Sequence, residues 1–388
     1  MKNLFVIALF CLAACSKSID KPANPAVAAH PNDIQSCKFG ITEFNLVKRP
    51  AVISEDAARG KPLKLTSGTS TPSGGAVILL DFDGFTISNT VWNWAGDIIT
   101  TPANLTSTQI DEIFKRVAND YSPFNITVTT DEAVYNAANV YKRMRVVFTE
   151  SYEWYGQVGG VSYVNSFTWG DNTPCFVFTS LLNYGTKYIA EAASHEAGHT
   201  LGLYHQASYD ANGVKISDYN RGIGSGETGW APIMGVGYYE NVTLWHNGPN
   251  PSGATSYQDD VAIITNVVGA KTDDYSNTFS GAAALSNSAD GIINSNADVD
   301  VFSIDISASK TISLVPFNLG INNSGANLDL VLKIYNSQGT LISVIDDTNV
   351  LSQTTILNAG KYYLSVSTTA NQYAPKYGML GRYNISLL

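Results

Sequence analysis

The apolar pattern in the first half of the chain predicts short strands interleaved with helices. Residues 76–82 form an apolar run that ends at the turn signal Asp83-Gly84, as expected of a buried strand. Residues 106–109 have the form of a capping box, and apolar positions then recur at helical spacing until Pro123. Further runs of strand length lie at residues 125–130, 144–149, 161–166 and 175–180, and the last leads into a helix from about Lys187. The predicted order is strand, helix, four strands, helix.

The pattern changes after a second predicted helix at residues 256–269, for which Gly269 is the stop signal. From Asp273 onward there is no histidine, cysteine or tryptophan, and apolar and polar residues alternate in short runs. These runs lie at residues 302–306, 328–334, 363–366 and 383–387. Such alternation predicts a β-sandwich of roughly 115 residues. We therefore predict an α+β domain over residues 73–271 and an all-β sandwich over residues 272–388.

The N-terminus has the pattern of a secretory signal. Lys2 precedes an apolar run at residues 4–14 that is too short to span a bilayer. The sequence Leu12-Ala13-Ala14-Cys15 resembles the bacterial lipobox, in which the cysteine is lipidated after cleavage before it. We expect residues 1–15 to be signal peptide and lipobox and residues 16–72 to be a tether or pro-segment. The product would be an exported bacterial lipoprotein of the cell envelope, at the outer membrane or cell surface, or released from it.

Composition narrows the classes of partner. The chain has 388 residues, a formal net charge of -10 and a pI of about 4.9. Lysine and arginine are few and scattered, so the clustered positive charge that phosphate binding needs is missing, and we expect no nucleic-acid partner. We expect a monomer that meets the membrane through its N-terminal lipid.

The histidines are concentrated in one stretch, since three of the five fall within residues 195–205, His-Glu-Ala-Gly-His-Thr-Leu-Gly-Leu-Tyr-His. In a helix, His195 and His199 lie one turn apart, roughly 6 Å along the axis, and face the same way. Glu196 stands beside the first histidine, where it can act as a general base without being a ligand. Gly202 lets the chain leave the helix in a left-handed conformation and return His205 as a third nitrogen. Three neutral nitrogens and an open fourth position are typical of catalytic zinc.

This stretch resembles the signature of the metzincin metallopeptidases, His-Glu-x-x-His-x-x-Gly-x-x-His followed by a methionine-containing turn, here residues 231–235. The predicted strand and helix order from residue 76 to residue 205 is also similar to the upper lobe of that family. The resemblance implies that the histidines hold zinc, that Glu196 relays a proton from a zinc-activated water to the departing amine, and that Met234 lies beneath the histidines. Some metzincins add a tyrosine ligand two residues after this methionine, where this chain has Val236, so we do not expect one.

A predicted strand at residues 160–166 falls where metzincins place an edge strand beside the zinc. The unpaired backbone groups of an edge can add an extended protein or peptide substrate as a further strand. Its alternation of Ser, Asn and Val favours an edge with one wet face. The alternative is an ordinary buried strand.

Cys37 has more than one possible use. Its thiolate could block the open zinc position, as the pro-segment cysteine does in some metzincins, because sulfur binds zinc well. The surrounding Ser-Cys-Lys-Phe-Gly does not match the best-known motif of that switch. The alternatives are a disulfide to Cys175 in an oxidising compartment and an unpaired cysteine in the tether.

Most of residues 273–388 resemble the bacterial pre-peptidase C-terminal domain, which accompanies secreted proteases. The resemblance rests on residues 273–275, 298–302, 327–330 and 360–364. Some relatives of that domain bind calcium or matrix proteins. Four carboxylates of this region could supply hard oxygen ligands for calcium: Asp273, Asp274, Asp298 and Asp300. Solvated turn carboxylates are the alternative.

Together with these patterns, the resemblance to the metzincins implies an exported zinc metalloendopeptidase with a metzincin-like catalytic domain and a β-sandwich appendage. A second class of function stays open, a lipid-anchored surface binding module that keeps zinc for stability. The peptidase predicts cleavage of a protein substrate that a chelator abolishes, whereas the binding module predicts no turnover.

Overall fold

A computed structural model describes residues 34–36, 75–318 and 325–388. The predicted signal peptide, Cys15, Cys37 and nearly all of the predicted tether lie outside these residues. Within the described part of the chain, no helix has the length and apolar character needed to cross a bilayer.

The first part of the chain forms a six-stranded sheet covered by helices, as predicted for an α+β fold. This part of the chain contains eight strands within the described residues, six of which form the sheet. They are β1 (Ile34–Ser36), β2 (Ala76–Asp81), β3 (Thr86–Ile87), β4 (Ile98–Ile99), β5 (Ile126–Thr129), β6 (Arg143–Thr149), β7 (Gly160–Tyr163) and β8 (Cys175–Phe178). The helices are α1 (Ser107–Asp120), α2 (Glu132–Ala137) and α3 (Thr186–Thr200). The order across the sheet is β1-β7-β8-β6-β2-β5, and β3 pairs separately with β4. Strands β2, β5, β6 and β8 run parallel, whereas β7 is antiparallel to both β8 and β1.

Both faces of this sheet are covered, because alternate side chains of each strand point to opposite faces. On one face, Val177 of β8 packs into the core formed with α1 and α3. On the other face, Phe176 of the same strand packs with Trp92 in a second, aromatic cluster. Helix α1 begins at the predicted capping box, in which Thr106 and Gln109 bond each other's backbone.

Short strands and one helix follow α3. They are β9 (Ser208–Tyr209), β10 (Lys215–Ser217), β11 (Trp230–Pro232), β12 (Val242–Leu244), β13 (Asn247–Pro249), β14 (Tyr257–Asp259) and α4 (Asp260–Val268). The helix predicted over residues 256–269 is therefore shorter at its start, where Asp259 caps α4 and the preceding residues pair with β13. It stops at Gly269 as predicted, with φ of 88°.

The strand predicted over residues 161–166 is β7, which ends at Tyr163. Asn165 takes a left-handed conformation, with φ of 65°, ahead of a single 3-10 turn at Ser166–Thr168. A residue in that conformation cannot continue an extended strand, so the strand is shorter than predicted.

The last part of the chain is all-β, as predicted, and forms two sheets. Their strands are β15 (Ala283–Ala284), β16 (Ser288–Ile293), β17 (Asp300–Ile306), β18 (Lys310–Pro316), β19 (Leu330–Asn336), β20 (Leu341–Ile345), β21 (Gln353–Leu357), β22 (Gly360–Thr368) and β23 (Gly381–Leu387). One sheet has the order β15-β17-β22-β19-β20 and the other β16-β23-β18-β21. Leu332 and Leu364 from the first share a buried core with Leu314 and Ile385 from the second. The two sheets therefore face each other as a sandwich.

Candidate metal centre

The end of α3 determines where the third histidine lies. Gly202 follows the helix with φ of 107°, a conformation that residues with a Cβ rarely adopt. The N–H of Leu203 then bonds back to the carbonyl oxygen of Gly198 at 3.2 Å, which closes the turn. A Cβ at position 202 would also lie 2.7 Å from Oδ1 of Asn165. The predicted left-handed exit at Gly202, with His205 following it, is confirmed.

The rings of the three histidines converge. The ring centroids of His195 and His199 are 4.6 Å apart, and those of His205 lie 5.2 Å and 4.8 Å from them. One ligand atom of each ring lies within 4.8 Å of those of the other two. Nδ1 of His195 is 2.8 Å from the carbonyl oxygen of Ile233, and Nδ1 of His199 is 2.6 Å from that of Leu203. These bonds favour the proton on Nδ1, so Nε2 of each of these two rings keeps its lone pair.

The donor set fits a zinc ion. The Nε2 atoms of His195, His199 and His205 are buried and have no hydrogen-bond partner. Burial lowers the pKa of His195 to about 4 and holds the pKa values of the other two well below their usual value, so all three rings are neutral at neutral pH. Buried polar atoms normally have partners, and three converging neutral nitrogens without one are a donor set that suits zinc.

Glu196 is buried between α3 and β7. Oγ of Ser162 donates a hydrogen bond to Oε2 of Glu196. A Cβ on Gly160 would lie 2.6 Å from Cγ of Glu196, so only glycine lets the strand approach the carboxylate this closely. The predicted base therefore lies beside both the first histidine and the strand predicted to bind substrate.

Met234 supports the helix that carries the histidines. It is buried, and a Cβ on Gly198 would lie 2.7 Å from its sulfur atom, so the methionine packs directly on α3 between the first two histidines. Its carbonyl oxygen accepts from the N–H of Gln206 at 2.8 Å. Tyr238 and Tyr239 pack against Tyr188 at the start of α3, the opposite end from His199.

A buried polar network fixes α3 from the other side. Oγ of Ser194 donates to Oδ2 of Asp120 at 2.5 Å, and the side-chain amide of Asn327 donates to Oδ1 at 2.9 Å. Burial raises the pKa of Asp120 to about 6, and these two donors oppose that rise. Because Asn327 precedes β19, the β-sandwich contributes to the support of the residue next to His195.

The prediction that the strand at residues 160–166 forms the sheet edge is wrong. Strand β1 pairs along the outer side of β7, with Ile34 opposite Tyr163 and Ser36 opposite Val161. Residues 34–36 belong to the predicted tether, whose composition carries no strand signal, so their pairing could not be read from the sequence.

Tyr219 is a residue of the centre that the sequence did not indicate. Its ring centroid lies 4.2 Å from that of His205, and its hydroxyl donates to the carbonyl oxygen of Ser36 at 2.7 Å. It comes from the irregular stretch between β10 and β11. The chain has 21 tyrosines, so the residue type alone does not distinguish Tyr219 from the others. No sequence motif includes Tyr219, so nothing in the sequence indicated its role.

Cys175 is buried and forms no disulfide with another described residue, and burial raises the pKa of its thiol well above the usual value. Its Sγ lies 3.8 Å from the carbonyl oxygen of Arg145. Because Cys37 lies outside the described residues, the switch and the disulfide both stay predictions.

Three of the four carboxylates predicted for calcium come together. Ligand oxygens of Asp273, Asp274 and Asp300 lie within 4.8 Å of one another, and Asp298 is not part of that group. Oδ2 of Asp300 accepts from the hydroxyl of Tyr383 at 2.5 Å, whereas Oδ1 is buried without a partner. Burial raises the pKa of Asp300 to about 8 and that of Asp298 to about 6. Oδ2 of Asp298 accepts from the N–H of Asn294 at 2.7 Å, which ties it to its own turn.

No protein-family model and no curated protein matches this chain. Among solved structures, the pre-peptidase C-terminal domain of a Bacillus anthracis collagenase matches 30% of this chain and 98% of its own length, at 14% identity and a TM-score of 0.21. The g-type lysozyme inhibitor PliG of Aeromonas hydrophila matches 27% of this chain and 96% of its own, at 12% identity and a TM-score of 0.18. PliG of Salmonella Typhimurium matches 27% and 97%, at 19% identity and the same TM-score. Likenesses this weak assign neither a family nor an activity.

Proposed function

We propose that this protein is an exported, zinc-dependent endopeptidase with a metzincin-like catalytic domain. The observation that carries the proposal is the set of three buried histidine nitrogens without a partner, on the same helix and turn as the buried Glu196. A structural zinc site is closed by four protein ligands, whereas a catalytic one keeps a position open. Among the described residues, no fourth His, Cys, Asp or Glu belongs to this cluster.

Each residue of the centre then has a chemical task. Zinc, when bound by the three histidines, lowers the pKa of a water toward about 7 and polarises a carbonyl group. Glu196 accepts the proton of the attacking water and passes it to the nitrogen of the departing amine. Ser162 orients the carboxylate of Glu196 through its hydrogen bond, and Met234 holds the helix from beneath.

The substrate in this proposal is an extended stretch of a protein or peptide chain. The pairing of β1 supports it, because β7 accepts an extended strand on its outer side next to Glu196. We further propose residues 73–271 as the catalytic domain and residues 272–388 as a pre-peptidase C-terminal-like accessory that binds calcium. A lipid on Cys15 would tether the protein to the membrane at the cell envelope or surface.

The test replaces Glu196 with glutamine. Because β1 covers the outer side of β7, the replacement is made in a variant in which β1 is loosened and a substrate can reach β7. Ile34 packs into the aromatic cluster that contains Trp92, so Ile34→Asp places a carboxylate against apolar rings and loosens β1. In that background, Glu196→Gln should keep the zinc content and lower the hydrolysis of labelled casein by about 100-fold or more, because it removes the general base. Metal analysis and fluorescence release measure the two quantities.

Glu191→Gln is the matched control in the same background. Glu191 is buried on the same helix, and burial raises its pKa, so the uncharged amide of glutamine is a mild change at this position. This control should retain both zinc and cleavage. Undiminished cleavage by the Glu196→Gln protein would remove the mechanism.

The binding module with a structural zinc site is the second candidate. The observation that favours it is β1 itself, which fills the strand edge that a substrate would need. It predicts that the Ile34→Asp protein binds zinc but cleaves no protein substrate, with or without Glu196.

A further inference from the structure

Tyr219 contacts both the histidine centre and the strand that lies along β7. Its ring packs on His205 with the centroids 4.2 Å apart and an interplanar angle of 36°. Its hydroxyl donates to the carbonyl oxygen of Ser36 at 2.7 Å. One side chain therefore bridges a predicted zinc ligand and the carbonyl group of an extended peptide segment.

The register of β1 places Ser36 opposite the segment of β7 that contacts the general base of the proposed peptidase. Ser36 lies opposite Val161, whose two neighbours in β7 are Gly160 and Ser162. Both neighbours contact Glu196, Ser162 through its hydroxyl and Gly160 through the close approach of its backbone. The residue whose carbonyl Tyr219 binds is thus aligned with the part of β7 that touches Glu196.

The side chains of β1 alternate as those of a bound peptide would. Ile34 packs with the aromatic cluster on one face of the sheet, and Gln35 is opposite Ser162, whose side chain lies on the Glu196 face. Strand β1 therefore occupies β7 as an antiparallel, extended peptide with one apolar anchor.

We propose that Tyr219 is a catalytic residue whose hydroxyl binds the carbonyl oxygen of the peptide bond to be cleaved, as it binds the Ser36 carbonyl here. This rests on the proposed endopeptidase function. When water adds to the carbonyl carbon, negative charge develops on the carbonyl oxygen, and the Tyr219 hydroxyl donates to it more strongly than in the ground state. Tyr219 keeps its proton throughout. The proton of the water passes through Glu196 to the amine nitrogen as the C–N bond breaks.

Tyr219→Phe is the direct variant, because it keeps the ring that packs on His205 and removes only the hydroxyl. Tyr209→Phe is a matched control, since the Tyr209 hydroxyl also donates to a backbone carbonyl at 2.7 Å, that of Asn250, outside the centre. Both variants are made in the full chain.

The first measurement is amide hydrogen exchange of the peptide that spans Ile34–Ser36, with no substrate present. Loss of the Tyr219 hydroxyl should speed this exchange by several-fold, since a hydrogen bond contributes about 1 kcal/mol. Tyr209→Phe should leave it unchanged. Equal exchange in all three proteins would show that Tyr219 does not hold the strand and would overturn the proposal.

The second measurement is steady-state peptide hydrolysis in the Ile34→Asp background. Tyr219→Phe should lower kcat by about 100-fold and change KM little, as expected when a donor to a developing oxyanion is removed. A rise of KM alone, or unchanged kinetics, would overturn a catalytic role for Tyr219. No cleavage by the Ile34→Asp protein itself would count against the peptidase function, and the inference would fall with it.

Discussion

The histidine centre and the acidic cluster of the sandwich are both groups of possible metal ligands, but the backbone fixes them to different degrees. In the centre, His195 and His199 stand on one helix and each bonds a backbone carbonyl. In the acidic cluster, Asp273 and Asp274 are exposed, and only Asp300 is buried. A site on a helix and its terminal turn has its shape before the ion arrives. A site made of loop carboxylates depends more on the ion for its shape.

Burial also acts in opposite directions on the two sets of ligands. It lowers the pKa values of the histidines, which favours the neutral form that binds metal. It raises the pKa of Asp300 to about 8, which favours the protonated form that binds metal poorly. At neutral pH the histidines are therefore already in the neutral form that binds a metal ion. In the acidic cluster, a bound cation is needed to stabilise the ionised carboxylates.

Removing one ligand of the histidine centre should have the largest effect. We expect His199→Ala to lose zinc and to reduce protein cleavage to the uncatalysed background, because two nitrogens hold zinc far less tightly than three. Metal content and casein hydrolysis in the Ile34→Asp background measure this. His246→Ala is the control, since His246 lies outside the cluster; it should keep zinc. Full zinc content in the His199→Ala protein would contradict the assigned ligand set.

Changing the turn at Gly202, which leaves all three histidines in place, should have the next largest effect on zinc binding. Gly202→Ala forces a Cβ into a left-handed conformation and against Oδ1 of Asn165, so we expect a loss of unfolding free energy on the order of 2 kcal/mol and weaker zinc binding. Denaturant unfolding and zinc titration measure the two changes.

Gly213→Ala separates backbone strain from the geometry of the centre. Gly213 also has a left-handed conformation, with φ of 77°, but its added Cβ would meet only Ala254, at 3.6 Å. This control should lose stability without losing zinc affinity. Equal zinc affinity in both alanine variants would mean that the Gly202 turn does not determine the position of His205.

Calcium should produce the smallest effect on stability, and the size of that effect should depend on pH. The native pKa of Asp300 is raised above its unfolded value, so the native state binds more protons between those two pKa values. Without calcium, this group therefore lowers the unfolding free energy as pH rises from about 4 to 8. Calcium favours the charged form, so millimolar calcium should raise the thermal midpoint by about 2–6 °C at pH 8 and less at pH 5.

Asp300→Asn should abolish the calcium shift, as seen by differential scanning calorimetry. If calcium leaves the wild-type midpoint unchanged at both pH values, the alternative of solvated turn carboxylates is correct.

The sequence predicted the histidine centre better than its surroundings, because the centre depends on local geometry. The spacing of His195 and His199 and the conformational freedom of Gly202 are properties of a few consecutive residues. Strand β1 and Tyr219 reach the centre from distant segments without regular patterns, so no periodicity could place them. The link from Asn327 to Asp120 likewise joins two parts of the chain whose packing is set by tertiary structure.

The central claim is that cleavage depends on one zinc ion held by the histidine centre. It is tested most directly by removing metal from the Ile34→Asp protein with a chelator and adding zinc back in steps while casein hydrolysis is followed. We predict no cleavage by the metal-free protein and a linear rise that saturates at about one zinc ion per chain. Cleavage that persists without zinc, or zinc binding at this stoichiometry with no cleavage at any point, would contradict the account.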